Sequence, residues 1–260
     1  MMRLPRRVRH ADNLSFVEHL EELRLRLIVS LVAVTVALVV TYGFRKTLID
    51  WLNRPLPEGT EPVTLSPVEP FMTSLTVAVY GALAVSLPIL LWQLWSFLAP
   101  AFEEASQAVV ARLVLAASLL FAAGMAFAYW VVLPNAMPFL LGFDSELYDI
   151  ELRAREYYGF AATTIFLVGL LFELPIFILG LVRLGILTSA RLRSNRRIGY
   201  GVCIIAAVLL PGVDFVTMAL QILPIVALFE GSIWLAVLFE RRWAAAGVIS
   251  RDALPRPTKP

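Results

Sequence analysis

Three groups of acidic residues stand where an oily chain has little structural use for them, and their shared chemistry is the capture of a positive charge or a proton. The first lies in Ser15-Phe16-Val17-Glu18-His19-Leu20-Glu21-Glu22-Leu23-Arg24-Leu25-Arg26-Leu27. Ser15 and Glu18 have capping-box spacing, so a helix is expected to begin here, at a membrane surface. Glu18, Glu21 and Glu22 outnumber the neighbouring arginines, and a carboxylate on a rigid helix receives a guanidinium through two parallel hydrogen bonds. Glu22 also reaches Arg26 at i,i+4, so a helix-stabilising pair of a few tenths of a kcal/mol stands as the plain alternative. The second group is Glu103 and Glu104, after Trp92, Trp95 and Pro100, in a connection otherwise short of charge; a solvated loop is its plain alternative.

The third group lies inside apolar runs. Glu173 sits in Phe172-Glu173-Leu174-Pro175, where a charged carboxylate costs at least ~2.5 kcal/mol, so it must face the bundle interior, face a wet cavity, or carry a proton. Pro175 has no amide hydrogen and frees the carbonyl of Leu171, which bends the helix beside that carboxyl. An interhelical hydrogen bond from Glu173 is the structural alternative. Glu230 and Gln221 form a looser polar pair nine residues apart in the last apolar run, and Asp214, after Pro211-Gly212-Val213, has the position of a helix cap.

The elements that must carry these groups are membrane spans. The 260 residues are 59% apolar and 16% charged, and mean hydropathy is +0.78, too oily for a soluble domain. A bilayer core of about 30 Å takes roughly 20 helical residues. Leu27 to Phe44, Phe71 to Leu91, Val109 to Leu133 and Tyr157 to Val182 meet that length. Ile198 to Phe239 is broken at Pro211, Gly212 and Asp214, which predicts two short antiparallel spans joined by a tight turn; a re-entrant hairpin is the alternative. The expected fold is all-α and polytopic, with six transmembrane helices over 27–239, a cytoplasmic segment 1–26 carrying an interfacial helix, and a cytoplasmic tail 240–260.

Orientation follows from basic residues. Six spans put 17 of the 22 lysines and arginines on one side, including Arg183, Arg191, Arg193, Arg196 and Arg197 in a single acid-free connection. Both termini are therefore expected in the cytoplasm. That connection also suits anionic lipid. The first external loop, through Asn53-Arg54-Pro55-Leu56-Pro57 and Ser66-Pro67-Val68-Glu69-Pro70-Phe71, is expected to form an ordered cap.

Other classes are disfavoured. The basic residues are spaced by hydrophobic spans and form no soluble nucleic-acid face. Cys203 is the one cysteine, and His10 and His19 are the two histidines, so neither a disulfide nor a thiolate metal site is expected, and no cofactor is implied. Nucleophile elbow, Walker and His-Glu-x-x-His patterns are missing from the sequence, which argues against an enzyme. A proton-coupled transporter of a small solute, using Glu173 and Glu230, is the alternative function; its weakness is the lack of an evident internal repeat.

Several motifs in fixed order resemble the TatC family, the polytopic core subunit of the twin-arginine protein translocase. They are residues 16 to 27, Ser66 to Phe71, Trp92-Gln93-Leu94-Trp95-Ser96-Phe97-Leu98-Ala99-Pro100, Phe127-Ala128-Tyr129 with Pro134, Phe172 to Pro175, and Asp214 followed by Pro224 and Phe229-Glu230. The resemblance covers about residues 16 to 240. It implies recognition of paired arginines in the signal peptides of folded cargo, single-span partner subunits of the TatA and TatB type, self-association in a receptor complex, contact with membrane lipids, and the proton gradient as energy source. It implies that the protein lies in the cytoplasmic membrane of a prokaryote. By the same resemblance Glu22 takes the recognition role with Arg24 beside it, Glu173 is the intramembrane glutamate, and Phe97 and Pro100 are the core of the first cytoplasmic loop. Two departures stand out: the family's loop glutamate and following basic residue align with Ser106 and Gln107, with Glu103 and Glu104 two or three residues earlier, and the turn before Asp214 is one residue longer.

Overall fold

The computed structural model describes residues 16–98, 107–147, 150–212 and 214–245, with 16–18, 107–109, 241 and 243–245 described by backbone alone. Its helices are α1 (Phe16–Gly43), α2 (Arg45–Asn53), α3 (Glu69–Leu98), α4 (Gln107–Phe127), α5 (Leu133–Gly142), α6 (Ala154–Phe172), α7 (Leu174–Arg183), α8 (Ser189–Ser194), α9 (Arg196–Val208) and α10 (Phe215–Ala245). A π-helical stretch, Ala128–Val132, joins α4 to α5. Among the described residues, five stretches are long and apolar enough to cross a membrane: His19–Gly43, Glu69–Leu98, Val110–Gly142, Ala154–Arg183 and Phe215–Glu240. The chain is thus an all-α polytopic membrane protein. α1 turns Leu31 and Val39 outward, 69% and 71% exposed, an apolar face that only lipid or another apolar surface satisfies.

The region after Ile198 differs from expectation in its proportions. The break at Pro211 and Gly212 is present, but α9 has 13 residues and α10 has 31, so the last helix is long and only the one before it is short. At 1.5 Å per residue α9 covers about 20 Å, less than the bilayer core. Gly212, at φ +103°, makes the turn, and the Gln221 amide donates to the Pro211 carbonyl at 3.2 Å. Contact of Gly199 with Phe229 near one end and of Pro211 with Gln221 near the other makes α9 and α10 antiparallel.

Among the described residues the buried apolar side chains form three clusters. α1 packs on α3, and α3 and α6 enclose α4; the Thr41 hydroxyl lies 2.8 Å from the Ala78 carbonyl across the first of these contacts. α10 packs on α7 and α9 around Ile225, Phe229, Ile233, Ile178 and Val182. α4 and α6 approach through Gly124 and Gly169. A Cβ on Gly124 would lie 2.7 Å from the Phe172 ring and one on Gly169 the same distance from Phe121, so larger residues would wedge the pair apart.

Two proline effects shape the spans. Between α6 and α7 the Glu173 amide donates to Leu170 at 3.0 Å, a tightened turn, before α7 restarts with Pro175 in its first turn. The π stretch leads into Pro134 and Pro138, which remove two ladder donors just beyond it. The loops on the α2 face are stitched into a cap. Val63 and Arg153 pair as an isolated bridge through Val63 N to Leu152 O and Ala154 N to Val63 O, both 2.8 Å. Three tyrosine hydroxyls donate onto the end of α2: Tyr129 to Trp51 O at 2.8 Å, Tyr158 to Asn53 Oδ1 at 2.7 Å, and Tyr157 to Leu52 O.

Candidate functional site

The start of α1 and the end of α3 meet at one face of the bundle, here called the N-terminal face. Antiparallel packing of α1 on α3 brings residues almost seventy positions apart together there. Arg26 is the hub. Its Nε donates to Glu22 Oε1 at 3.0 Å and its Nη2 reaches the same oxygen. Its Nη1 donates to Gln93 Oε1 at 3.3 Å, which ties the pair to α3. His19, one turn before Glu22, stacks on Phe97 with ring centroids 4.4 Å apart and planes 16° from parallel.

The consequence for Glu22 is asymmetric. Arg26 occupies Oε1, whereas among the described residues Oε2 has only His19 Nδ1 at 4.0 Å, too long for a hydrogen bond. The side chain is 29% exposed, so one edge of a positioned carboxylate faces outward. Arg24 and Glu21 point away into exposure on the same turns. Glu18 is described by backbone only, and Glu103, Glu104 and Pro100 lie outside the described residues. Sequence reasoning reached the Glu22 and Arg26 spacing but gave no role to His19 and read no contact from Gln93. Both stand in quoted motifs, though nothing in the spacing ties them to Glu22.

The intramembrane group does not assemble as one site. Glu173 lies at the α6–α7 break with Oε1 buried, and among the described residues nothing donates to that oxygen. The interhelical hydrogen bond considered from sequence is therefore not formed there. Glu230 instead belongs to the join of α9 and α10: it accepts from the Tyr200 hydroxyl and lies 3.3 Å from Arg196. Gln221, 1% exposed, is nine residues or about 13 Å along α10 from Glu230, at the Pro211 turn. Asp214 Oδ1 accepts from the Thr217 amide at 2.8 Å, the geometry of an N-cap on α10.

On the opposite face Glu69 is a buried charge, in a stretch expected from sequence only to belong to the ordered cap. Its side chain is 2% exposed and receives Arg153 Nε at 2.9 Å, the Leu65 amide at 3.1 Å and the Arg155 amide at 3.2 Å. The carboxylate holds the Arg153 guanidinium above its ordinary pKa, chiefly through their hydrogen bond and then through charge attraction. The two partners are 84 positions apart, which hides the pair from any local pattern. Among the described residues no three His, Cys, Asp or Glu side chains gather to hold a metal ion.

The described residues thus form an all-α membrane bundle with a braced carboxylate, Glu22, at one mouth and a second carboxyl, Glu173, inside, whose Oε1 meets no donor among them. The family model "Sec-independent protein translocase protein (TatC)" matches residues 18–224, and the chain belongs to the TatC family. It is 32% identical to the TatC of Carboxydothermus hydrogenoformans, over 86% of this chain and 93% of that one, and 34% identical to TatCd of Bacillus subtilis, over 87% and 93%. The chloroplastic TATC of Arabidopsis thaliana is 33% identical over 88% of this chain and 68% of its own. The crystal structure of the twin-arginine translocase receptor TatC in DDM superposes with a TM-score of 0.77 at 32% identity, over 84% of this chain and 99% of that one. Members of the family are translocase components, not enzymes.

Proposed function

We propose that this chain is the receptor and scaffold subunit of a twin-arginine translocase, taking the paired arginines of signal peptides on folded cargo at the Glu22 cluster. The free Oε2 edge of Glu22 carries the reading: Arg26 and Gln93 brace the carboxylate while leaving that edge for an incoming guanidinium. Glu18, Glu103 and Glu104 are the further carboxylates this reading calls on, and Arg24, exposed beside Glu22, is the basic residue of the same segment. Two carboxylate positions would match two arginines, and lysines would lose the forked geometry. Glu173, with Gln221 and Glu230 elsewhere in the bundle, belongs to the transport step that the proton gradient drives, together with single-span TatA- and TatB-type subunits, membrane lipids and further copies of the chain.

The reading includes six crossings, with α9 as the short fifth, both termini cytoplasmic in a prokaryotic inner membrane, and the divisions 1–26, 27–239 and 240–260. Stacking of His19 on Phe97 supports it, since the start of α1 and the end of α3 then lie at the same face. Glu22→Gln keeps the shape and removes the charge. Photocrosslinking from Leu23 to an Arg-Arg signal peptide is expected to fall about five- to thirtyfold, the worth of a partly screened charged hydrogen bond. A Lys-Lys peptide should label weakly in both proteins. Undiminished Arg-Arg labelling in the variant would remove Glu22 from recognition.

A further inference from the structure

Beneath α2 lies a groove of about 440 Å³ that the recognition cluster leaves unused. Leu48 and Trp51 of α2, Tyr80 and Ala84 of α3, Ala126 of α4 and Phe166 of α6 form its wall, which is almost entirely hydrocarbon. The groove exists because small side chains stand where three helices would otherwise interdigitate. It is open to the side and bordered by Trp51 and Trp130, 55% and 70% exposed, so the bilayer has direct access.

Depth, width and charge together select one occupant. The α6 part of the wall, from Ala162 to Phe166, lies eight to twelve residues into that helix, about 12–18 Å, which matches the roughly 15 Å hydrocarbon depth of one leaflet. A single extended acyl chain is narrow, flexible and wholly apolar, which suits a side-open groove with so little polar wall. At the rim the Arg54 guanidinium lies 5.7 Å from the Trp51 ring, and Arg45, Lys46 and Arg54 outnumber Asp50 along α2 and its C-cap. An apolar slot reaching mid-bilayer, with cations and an interfacial tryptophan at its mouth, has the order of parts of a glycerophospholipid in reverse.

We propose that this groove seats one acyl chain of a phospholipid from the leaflet on the α2 face, with the lipid phosphate held at Arg54. A filled groove keeps α2 and the cap seated on hydrocarbon where an empty one would leave their undersides without contacts. The site does not depend on the receptor reading; only the naming of that leaflet as the outer one rests on the orientation proposed above.

The test uses the full chain in liposomes of phosphatidylglycerol and phosphatidylethanolamine, with a trace of phosphatidylglycerol carrying a photoreactive diazirine on one acyl chain. Mass spectrometry is expected to find adducts on the segments lining the groove, at Ala122–Trp130 and Tyr80–Val85, in excess over the lipid-facing Leu31–Val39 of α1. Ala126→Phe fills the groove and should lower that labelling about tenfold or more, the effect of excluding two or three methylenes from a buried site. Leu119→Phe, on an exposed part of the same helix, should leave it unchanged. Ala84→Phe, on α3, repeats the test if Ala126→Phe does not fold. Arg54→Ala should lower labelling by the phosphatidylglycerol probe while retaining the adduct positions. Labelling no denser than on α1, insensitivity to both filling variants, or displacement of the adducts by an apolar helical peptide would each overturn the proposal. Arg-Arg crosslinking from Leu23, measured on the same proteins, reports on the receptor reading independently.

Discussion

At the scale of single residues the N-terminal face works by bracing. Glu22 is useful to a ligand only while its backbone turn stays fixed against α3, and two contacts do that: Arg26 to Gln93, and His19 stacked on Phe97. A stacked aromatic pair contributes about 0.5–1.5 kcal/mol beyond its burial. His19→Ala should therefore weaken Arg-Arg crosslinking about two- to tenfold, and His19→Phe, which keeps a flat ring over Phe97, should restore it. Failure of phenylalanine to rescue would mean that His19 contributes its nitrogens and not its stack. The sequence made part of this legible. Spacing alone pairs Glu22 with Arg26 and puts Asp214 at a helix start, because both are local relations on one turn. Gln93 and Phe97 could not be found that way, since their partners are set by how α1 lies along α3.

At the scale of elements, long apolar runs announced the spans, while the short and bent pieces stayed hidden. α2 has nine residues and a polar average, so it resembles loop until the tyrosines that fix its end are known. The π stretch runs up to Pro134, whose missing amide hydrogen leaves the Trp130 carbonyl without its ladder donor, a local irregularity that hydropathy does not encode. The α9 and α10 pair shows how the short helix after α8 is held. A Cβ on Gly199 would sit 2.1 Å from Phe229 Cζ, inside any permissible contact. Gly199→Ala should cost about 1–3 kcal/mol, read as a lower melting temperature in detergent, and Phe229→Leu in the same chain should return part of it. Pro175→Ala acts differently: it restores an amide hydrogen beneath Leu171 O and should straighten the α6–α7 join. Spin labels at Val168 and Ile178 would then report a changed separation; an unaltered distance would assign the bend to packing and not to proline.

At the scale of the whole molecule, the chain separates an N-terminal face, where Glu22 is braced and partly exposed, from a face stitched together by buried contacts. The stitching centres on Glu69, whose carboxylate accepts from Arg153 and from the Leu65 and Arg155 amides, while the Val63 and Arg153 backbones pair alongside. Removing that carboxylate strands three donors at once, and the guanidinium of Arg153 loses the partner that keeps it oriented. Glu69→Ala should therefore release both loops on the α2 face together, seen as faster cleavage by a glutamate-specific protease at Glu58 and by trypsin at Arg153 in intact liposomes exposing that face. Glu69→Gln should be milder, because its amide oxygen still accepts from the backbone. The same variants should leave Arg-Arg crosslinking at Leu23 near its starting level, since the recognition cluster is built at the opposite ends of α1 and α3. Cleavage unchanged in Glu69→Ala would show that the three tyrosine contacts hold the cap by themselves, and loss of crosslinking without faster cleavage would show that the two faces are coupled through the helices instead of through the cap.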